Sequence, residues 1–366
     1  MRSSFFIFCV LASSLHAALP EALQALRAVA REGQGNAAAT AAWAEVAAAP
    51  AADLPLLLGA LDGANPLAEN WLRAAISSVE EKAAAEKAVP VEGLLTFVKD
   101  TAHSASARAL CFDLLLKHAP KVAEGLSPSF LNDVSSELRR YPITRLLAKG
   151  DELVTADKAG ALKIYRQALD ASRDEDQIKL VSKKLRDLGE KVDLPGHFGF
   201  LMDWQMIAPF NNAERSGHET AYPPETELDF SKAYEGKAKQ AAWVTFKSTD
   251  DYGMIDFNKP FGMDKEVTGY AATDFYAAEA RDAEIRLGCK NAWKVWLNGK
   301  LVFARDEYHR GAKLDQYKLP VSLKKGKNTL LVKCSQNEQK EEWTVEWEFQ
   351  LRICDATGTA IKSIVP

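Results

Sequence analysis

Two glutamates near the end of the chain have a spacing that could support glycoside hydrolysis. Glu346 and Glu348 alternate with apolar residues in WTVEWEFQLRI, residues 343–353. Side chains two residues apart on a strand project from the same face, and glycosidases use two carboxyl groups about 5 to 10 Å apart. However, the sequence shows nothing apolar beside the pair that would raise the pKa of one carboxyl and make it an acid. A strand with one solvated face is therefore the simpler interpretation of these glutamates.

Other motifs that carry chemistry are missing or incomplete. The sequence contains no Gly-rich phosphate loop, G-x-S-x-G elbow, H-E-x-x-H helix or EF-hand loop. His218-Glu219 lacks the second histidine of a zinc protease, and we interpret it as structural. In TDDYG, Asp250 and Asp251 could bind a structural calcium ion, since Ca²⁺ prefers oxygen ligands, or could belong to a plain polar turn. No other cofactor is expected.

The segment NAWKVWLNGKLVF, residues 291–303, predicts a hairpin with apolar residues on both faces. Asn298-Gly299 between alternating apolar residues is a strong hairpin signal, because a type I′ turn needs positive φ at both central positions. A regular ladder places these residues on the core face: Trp293, Val295, Leu297 and Val302. It places Trp296, Leu301 and Phe303 on the opposite face, where the protein's own chain or a ligand must cover them.

The loop after this hairpin could provide a sugar site. Tyr308, His309 and Arg310 would lie beside Trp296, giving an aromatic plane for the C–H face of a sugar and donors for its hydroxyls. A solvated loop is the alternative. Trp343 and Trp347 alternate with charged residues, which predicts that both pack in the core.

The spacing of apolar residues, which indicates the elements that position these side chains, changes near Pro195. Before it, apolar residues recur at helical spacing in Ala- and Leu-rich segments separated by Pro, Gly and Asn. After it, about ten segments alternate with a period of two, as in an antiparallel β-sandwich. We therefore predict a helical domain over residues 18–195 and a β-sandwich domain over residues 196–366.

The first residues, MRSSFFIFCVLASSLHA, predict a secretory signal peptide over residues 1–17, and an uncleaved N-terminal anchor is the alternative. The protein is thus expected in the periplasm, the cell envelope or outside the cell, with no transmembrane segment after signal removal. A net charge of −4 in 366 residues gives no sign of nucleic-acid binding. No cysteine pair has zinc-type CxxC spacing. Cys289, Cys334 and Cys354 could form a disulfide in an oxidising compartment, and the sequence does not select a pair.

Both domains resemble known families. The helical pairs recur at about 30 to 40 residues and are similar to HEAT repeats, especially in FLNDVSSELRRYPITRLLAKG, residues 130–150; an irregular helical bundle is the alternative. VWLNGKLVF and the later VSLKKGKNTLLVKC resemble the galactose-binding-like jelly roll of family-two glycoside hydrolases. WQMIAPFNN and YPPE also resemble segments of exported bacterial proteins of unknown function, although Ala208 replaces a glycine of that pattern. These resemblances imply an architecture, an α-solenoid followed by a jelly roll, and not a ligand site.

Together these features favour an exported, non-catalytic binding protein. We expect the sandwich to recognise a glycan or cell-envelope component, and the helical repeats to contact a protein partner. Two alternatives stay open. One is a protein–protein scaffold that binds no sugar, and the other is a carbohydrate-active hydrolase whose site the sequence does not reveal.

Overall fold

The computed structural model describes residues 19–364, so the predicted signal peptide lies outside the described residues. The chain divides into two compact units, residues 1–184 and 185–366. Helices fill the first unit and antiparallel strands dominate the second, as the change in sequence period predicts. Within the described residues, no helix is both long and apolar enough to cross a bilayer.

The helices of the first unit begin where side chains cap them. Asn65 accepts hydrogen bonds from the N–H groups of Leu67 and Ala68, and Pro66 occupies the first helical position. Ser104, Ser135 and Asp157 cap later helices in the same way. The α-helices are α1 (19–27), α2 (Asn36–Ala47), α3 (Leu54–Gly59), α4 (Pro66–Ala85), α5 (Val91–Lys99), α6 (Ala105–His118), α7 (Pro120–Leu126), α8 (Ser136–Leu153), α9 (Lys158–Ala171) and α10 (Glu175–Asp187), whose last residues belong to the second unit. Short 3₁₀ turns cover Arg31–Gly33, Ala51–Asp53 and Ser127–Phe130.

Apolar faces of the helices from α1 to the start of α8 share a core, which includes Leu57, Leu72 and Leu115. Inside it, the buried guanidinium of Arg108 donates to both carboxylate oxygens of Asp133, at 2.8 and 2.7 Å, and to the carbonyl of Val98 at 2.9 Å. This pairing satisfies a charge that would otherwise be costly to bury.

The second unit contains two antiparallel sheets. Its strands are β1 (Asp203–Asn211), β2 (Ala233–Tyr234), β3 (Ala241–Lys247), β4 (Ile255–Asp256), β5 (Val267–Ala277), β6 (Arg281–Cys289), β7 (Ala292–Leu297), β8 (Lys300–Arg305), β9 (Tyr317–Leu323), β10 (Gly326–Gln336) and β11 (Glu348–Cys354). Its short helical segments are α11 (Leu194–Phe198), α12 (Asn258–Phe261), and the turns Ala213–Arg215, Pro223–Glu225 and Glu342–Thr344. The larger sheet has the order β2-β3-β1-β5-β10-β7-β8, and the smaller has the order β4-β11-β6-β9. One apolar core takes side chains from both sheets, among them Met206, Ile285 and Val332.

The two motifs behind the jelly-roll resemblance hold each other in place. Asn328 is buried, and its side-chain amide donates to the carbonyls of Lys324 and Gly326 at 2.7 and 3.0 Å. The Asn298 amide donates to Asn328 Oδ1 at 3.0 Å, and Asn298 Oδ1 accepts the N–H of Thr329 at 3.1 Å. These asparagines therefore shape turns.

The hairpin of β7 and β8 forms at Asn298-Gly299, where both residues have positive φ. The regular register, which pairs Val295 with Val302, is wrong beyond Trp296. A bulge inserts a residue near Val302, so Val295 pairs with Phe303 instead. Phe303 therefore packs on the shared core, against the prediction that it faces outward. Leu301 does face outward and is 46% exposed.

The protein's own chain covers the outer face of the larger sheet. Trp296 is only 8% exposed and belongs to a second apolar cluster with Ile207, Phe210, Tyr270 and Leu331. The loop between β1 and β2 packs on this cluster through Tyr222 and Leu228, and Tyr234 of β2 also packs against it. Below the same loop, the buried ammonium of Lys333 donates to Glu225 Oε1 at 2.8 Å and to the carbonyls of His218 and Thr220.

The last predicted strand is shorter than its alternating sequence. β11 begins at Glu348 rather than at Trp343, so the prediction that Trp343 packs in the core is wrong, while Trp347 is fully buried as predicted. The cause is a set of side-chain donors from other segments. The buried Gln336 amide donates to the carbonyls of Thr344 and Glu346 at 2.9 and 3.1 Å. Lys265, Asn258 and Asn291 also donate to the carbonyls of residues 344–346, which removes these groups from strand pairing. Trp343 consequently lies in a 3₁₀ turn with 60% of its side chain exposed.

Candidate functional site

Three carboxylates meet where β11 begins. Glu348 pairs directly with Asp256 across the antiparallel ladder of β11 and β4. Directly opposed residues share a face of the sheet, with Cβ atoms about 4.5 to 5.5 Å apart. Glu346 lies two residues before Glu348. We call Asp256, Glu346 and Glu348 the carboxylate cluster.

The surroundings of Glu348 make its carboxyl an unusually weak acid. Burial raises the pKa of Glu348, the negative charges of Asp256 and Glu346 raise it further, and Lys290 opposes them, leaving the pKa at about 7. Glu348 keeps part of its side chain exposed. The expectation that nothing beside this pair buries one carboxyl and raises its pKa is therefore wrong. The burial and Asp256 come from the pairing of distant segments, which the local sequence does not show.

Residues at the end of β6 hold the cluster in place. The ammonium of Lys290 forms an ion pair and hydrogen bond with Glu346 Oε2. The Asn291 amide donates to the Glu346 carbonyl at 3.1 Å, and Asn291 Oδ1 accepts the N–H of Glu348 at 3.3 Å. Glu346 is thus tied to a cation, whereas Asp256 accepts a hydrogen bond from the N–H of Asn258 at 2.8 Å.

A polar and aromatic surface adjoins the cluster. The backbone N–H of His309 donates to the Lys290 carbonyl at 2.6 Å, and its Nε2 lies 2.9 Å from Asn337 Oδ1. The His309 ring meets the exposed Trp343 ring edge to face, with centroids 5.2 Å apart. The loop predicted to bind sugar thus reaches the residue that contacts Glu346.

The four predicted ligand residues have different surroundings. The ring of Trp296 packs under the loop between β1 and β2, so it offers no open aromatic plane. Tyr308 is partly buried, and its hydroxyl accepts a hydrogen bond from the Asn212 amide at 3.1 Å. Arg310 is exposed and pairs with Glu307 at 3.0 Å. A ligand role for Tyr308, His309 and Arg310 stays a prediction.

The two predicted calcium ligands lie in a turn. Asp250 Oδ1 accepts the N–H groups of Tyr252 and Met254 at 2.8 and 3.3 Å. Asp251 forms an ion pair with Arg186 at 2.8 Å. Across residues 19–364, no group of three or more His, Cys, Asp or Glu side chains could hold a metal ion. Calcium binding by Asp250 and Asp251 stays a prediction.

Sequence reasoning missed Asp256, Lys290 and Trp343 as members of this region. Asp256 had one usable signal, since it is the polar residue of YGMIDF, residues 252–257, one of the segments whose pattern predicts a strand. Its pairing with Glu348 depends on residues more than ninety positions apart, which no local pattern specifies.

No protein-family model and no curated protein matches the chain. Among solved structures, an FMN-binding β-glucuronidase from Facaelibacterium prausnitzii is similar at 13% identity and a TM-score of 0.24, over 41% of this chain and 21% of that one. A β-glucuronidase from Ruminococcus gnavus has 15% identity and a TM-score of 0.25, over 42% and 28%. A β-glucosidase from Kluyveromyces marxianus in complex with glucose has 14% identity and a TM-score of 0.25, over 68% and 35%.

These neighbours carry the names of glycoside hydrolases, the class that the sequence analysis gave as an alternative. The expectation of a non-catalytic binding protein is not kept. The chain spans between a fifth and about a third of the length of those enzymes. A partial likeness at this identity does not transfer an activity, because one fold supports many functions.

Proposed function

We propose that this protein is a carbohydrate-active hydrolase whose reaction centre is the carboxylate cluster. The observation that carries the proposal is the pairing of a partly exposed, weakly acidic Glu348 with a second carboxylate, Asp256, on the same sheet face. Glycoside hydrolysis needs one carboxyl that stays protonated near neutral pH and another that stays ionised.

In this proposal Glu348 is the general acid. With a pKa of about 7, it still carries its proton at pH 6 and can donate it to the glycosidic oxygen as the bond to the leaving group breaks. The negative charges of Asp256 and Glu346 favour that protonated form, because like charges oppose ionisation.

Asp256 is the proposed nucleophile. Its cross-strand position opposite Glu348 is compatible with the separation of about 5 to 5.5 Å between the two carboxyl groups of retaining glycosidases. Glu346 is less suited to attack, since its carboxylate pairs with Lys290. Lys290 and Glu346 act instead as positioning residues that set the charge around Glu348.

The substrate we propose is a glycan that lies across Trp343 and His309. An exposed indole offers a flat apolar surface to the C–H face of a sugar ring, and the His309 ring lies beside it. We also propose, on the sequence resemblances, that the strand unit belongs to the galactose-binding-like class. On the same basis, the helical unit is HEAT-like and contacts a protein partner, and the protein is exported.

The test is turnover by the purified full chain on a panel of aryl glycosides and polysaccharides, with release of aglycone or reducing ends as the readout. We expect Glu348→Gln to lower kcat by a factor of at least about 10², the low end for general acid catalysis. Glu342→Gln is the matched control, because Glu342 is exposed in the turn just before the cluster.

The pH profile separates the acid from a merely structural glutamate. Activity should fall as pH rises through about 7, where Glu348 loses its proton, and that limb should be absent in Glu348→Gln. No turnover at pH 5 to 6 by the folded protein on any substrate of the panel would count against the hydrolase proposal. Turnover that survives Glu348→Gln would count against this site.

A further inference from the structure

Two cysteines from opposite sheets meet inside the core of the strand unit. Cys289 ends β6 of the smaller sheet, and Cys334 lies in β10 of the larger sheet. Their Sγ atoms are 3.8 Å apart, and both residues are buried, at 2% and 0% exposure. Each is a free thiol in this structure.

The surroundings leave these thiols facing each other. The Cys289 thiol lies 3.4 Å from the Glu348 carbonyl and 3.5 Å from the Asn291 carbonyl, distances that suit a weak S–H donor. The contact between the sulfurs is about 1.8 Å longer than an S–S bond. A change of side-chain torsion and a small approach of the two strands would close it, because each sulfur sits on a rotatable Cα–Cβ bond.

Neither of the other two described cysteines is placed to compete. Cys111 lies in the helical unit. In the ladder of β11 and β6, Cys289 pairs with Phe349 and Cys354 pairs with Glu284. These two pairs are five positions apart, which separates Cys354 from Cys289 by about 16 Å along the strands. The sequence alone left the choice among Cys289, Cys334 and Cys354 open.

We propose that Cys289 and Cys334 form a disulfide that joins the two sheets whenever the chain folds in the presence of a disulfide oxidant. The thiolate of one cysteine attacks the oxidant, forming a mixed disulfide and releasing one oxidant thiolate. The thiolate of the other cysteine then displaces the second oxidant thiolate and completes the Cys289–Cys334 bond. Two protein thiols are oxidised, one oxidant disulfide is reduced to two thiols, and the two protons pass to the released thiolates.

This bond would close a loop between residues 45 positions apart and would form directly beneath the carboxylate cluster. Because the thiol of Cys289 would then no longer donate to the Glu348 carbonyl, the bond changes the backbone environment of Glu348. The proposal does not depend on hydrolase activity.

The experiment refolds the full chain from urea in oxidised and reduced glutathione, blocks remaining thiols with iodoacetamide, and maps the tryptic peptides by mass spectrometry without reduction. Cleavage after Arg286, Lys290, Lys333 and Lys340 places the cysteines in LGCK and CSQNEQK, which are distinct from ALCFDLLLK of Cys111 and ICDATGTAIK of Cys354. We expect LGCK linked to CSQNEQK, at 2 Da below the sum of the two free peptides, and alkylated Cys111 and Cys354.

Cys354→Ser is the control variant and should keep the linked peptide, while Cys289→Ser and Cys334→Ser should lose it. The assignment on the unmodified chain needs no variant, so a misfolded mutant would not obscure the result. Alkylated Cys289 and Cys334 in the refolded protein, or a linked peptide that pairs either of them with Cys354, would overturn the proposal.

Discussion

Trp296 and Trp343 exchange the roles that the sequence suggests, and this exchange gives a quantitative test of the fold. Trp296 is 8% exposed and packs with Phe210, Tyr270 and Leu331, whereas Trp343 is 60% exposed in a turn. Truncating a buried Trp to Ala costs about 3 to 5 kcal/mol through lost burial and the cavity that remains. Truncating an exposed one costs less than about 0.5 kcal/mol.

For a unit of the size of residues 185–366, each kcal/mol shifts Tm by about 2 to 4 °C. We therefore expect Trp296→Ala to lower the melting transition of the strand unit by roughly 6 to 20 °C, and Trp343→Ala by at most about 2 °C. Differential scanning calorimetry of the full chain is the suitable assay, since removing a tryptophan also alters the fluorescence signal.

Trp296→Phe retains an aromatic ring at the same place and should fall between the other two variants. It also covers the case in which Trp296→Ala is too unstable to purify. Equal Tm values for Trp296→Ala and Trp343→Ala would refute the packing of Trp296 beneath the loop between β1 and β2.

Three further predictions concern charges and packing inside the strand unit. Burial alone would raise the pKa of Asp315, but Arg352 and Arg286 hold it below its usual value. A carboxyl whose pKa is lower in the folded than in the unfolded state stabilises the fold above the unfolded-state pKa, and this stabilisation is lost as pH falls through the folded-state pKa. Asp315→Asn should therefore lower the free energy of unfolding by about 3 kcal/mol at pH 7 and by clearly less at pH 2 to 3, as measured by urea titration. Lys333→Met removes the ammonium that pairs with the partly buried Glu225 and leaves it, among the described residues, the Tyr270 hydroxyl as a partner. It should lower stability by about 3 kcal/mol, and the added change Glu225→Gln should restore part of the loss. Gly269→Ala places a Cβ 2.6 Å from the Phe257 ring, and this overpacking should lower stability by about 1 to 3 kcal/mol in the same titrations. Gly125→Ala is the control, because Gly125 is exposed and a Cβ there contacts nothing, so it should cost no stability.

Local periodicity was enough to predict where most strands lie. β9 coincides with the segment YKLPVSL, because a strand buried on one face must alternate and turn residues bound it. β5 coincides with VTGYAATDFYA, whose β-branched and aromatic residues favour a strand although both of its faces are largely buried. The Asn298-Gly299 turn was equally predictable, since few other residue pairs tolerate two positive φ angles.

The misplaced features depend on partners distant in the chain. Side-chain donors from other segments, Gln336 among them, hold residues 344–346 out of the sheet. A bulge near Val302 moves Phe303 to the core face. The candidate site has the same origin, because Glu348 owes its weak acidity to burial and to Asp256, which a different strand supplies. Sequence spacing identified Glu346 and Glu348, but it could not reveal the neighbours that distinguish them.

The segment before β11 has a consequence for how the end of the chain is encoded. Residues 343–347 retain the alternation of a strand, yet side chains from other segments donate to carbonyls that a neighbouring strand would have paired: Gln336, Lys265, Asn258 and Asn291. The choice between extended ladder and folded turn is thus made outside the segment. The exposed position of Trp343, and with it the shape of the surface next to Glu348, depends on those side chains.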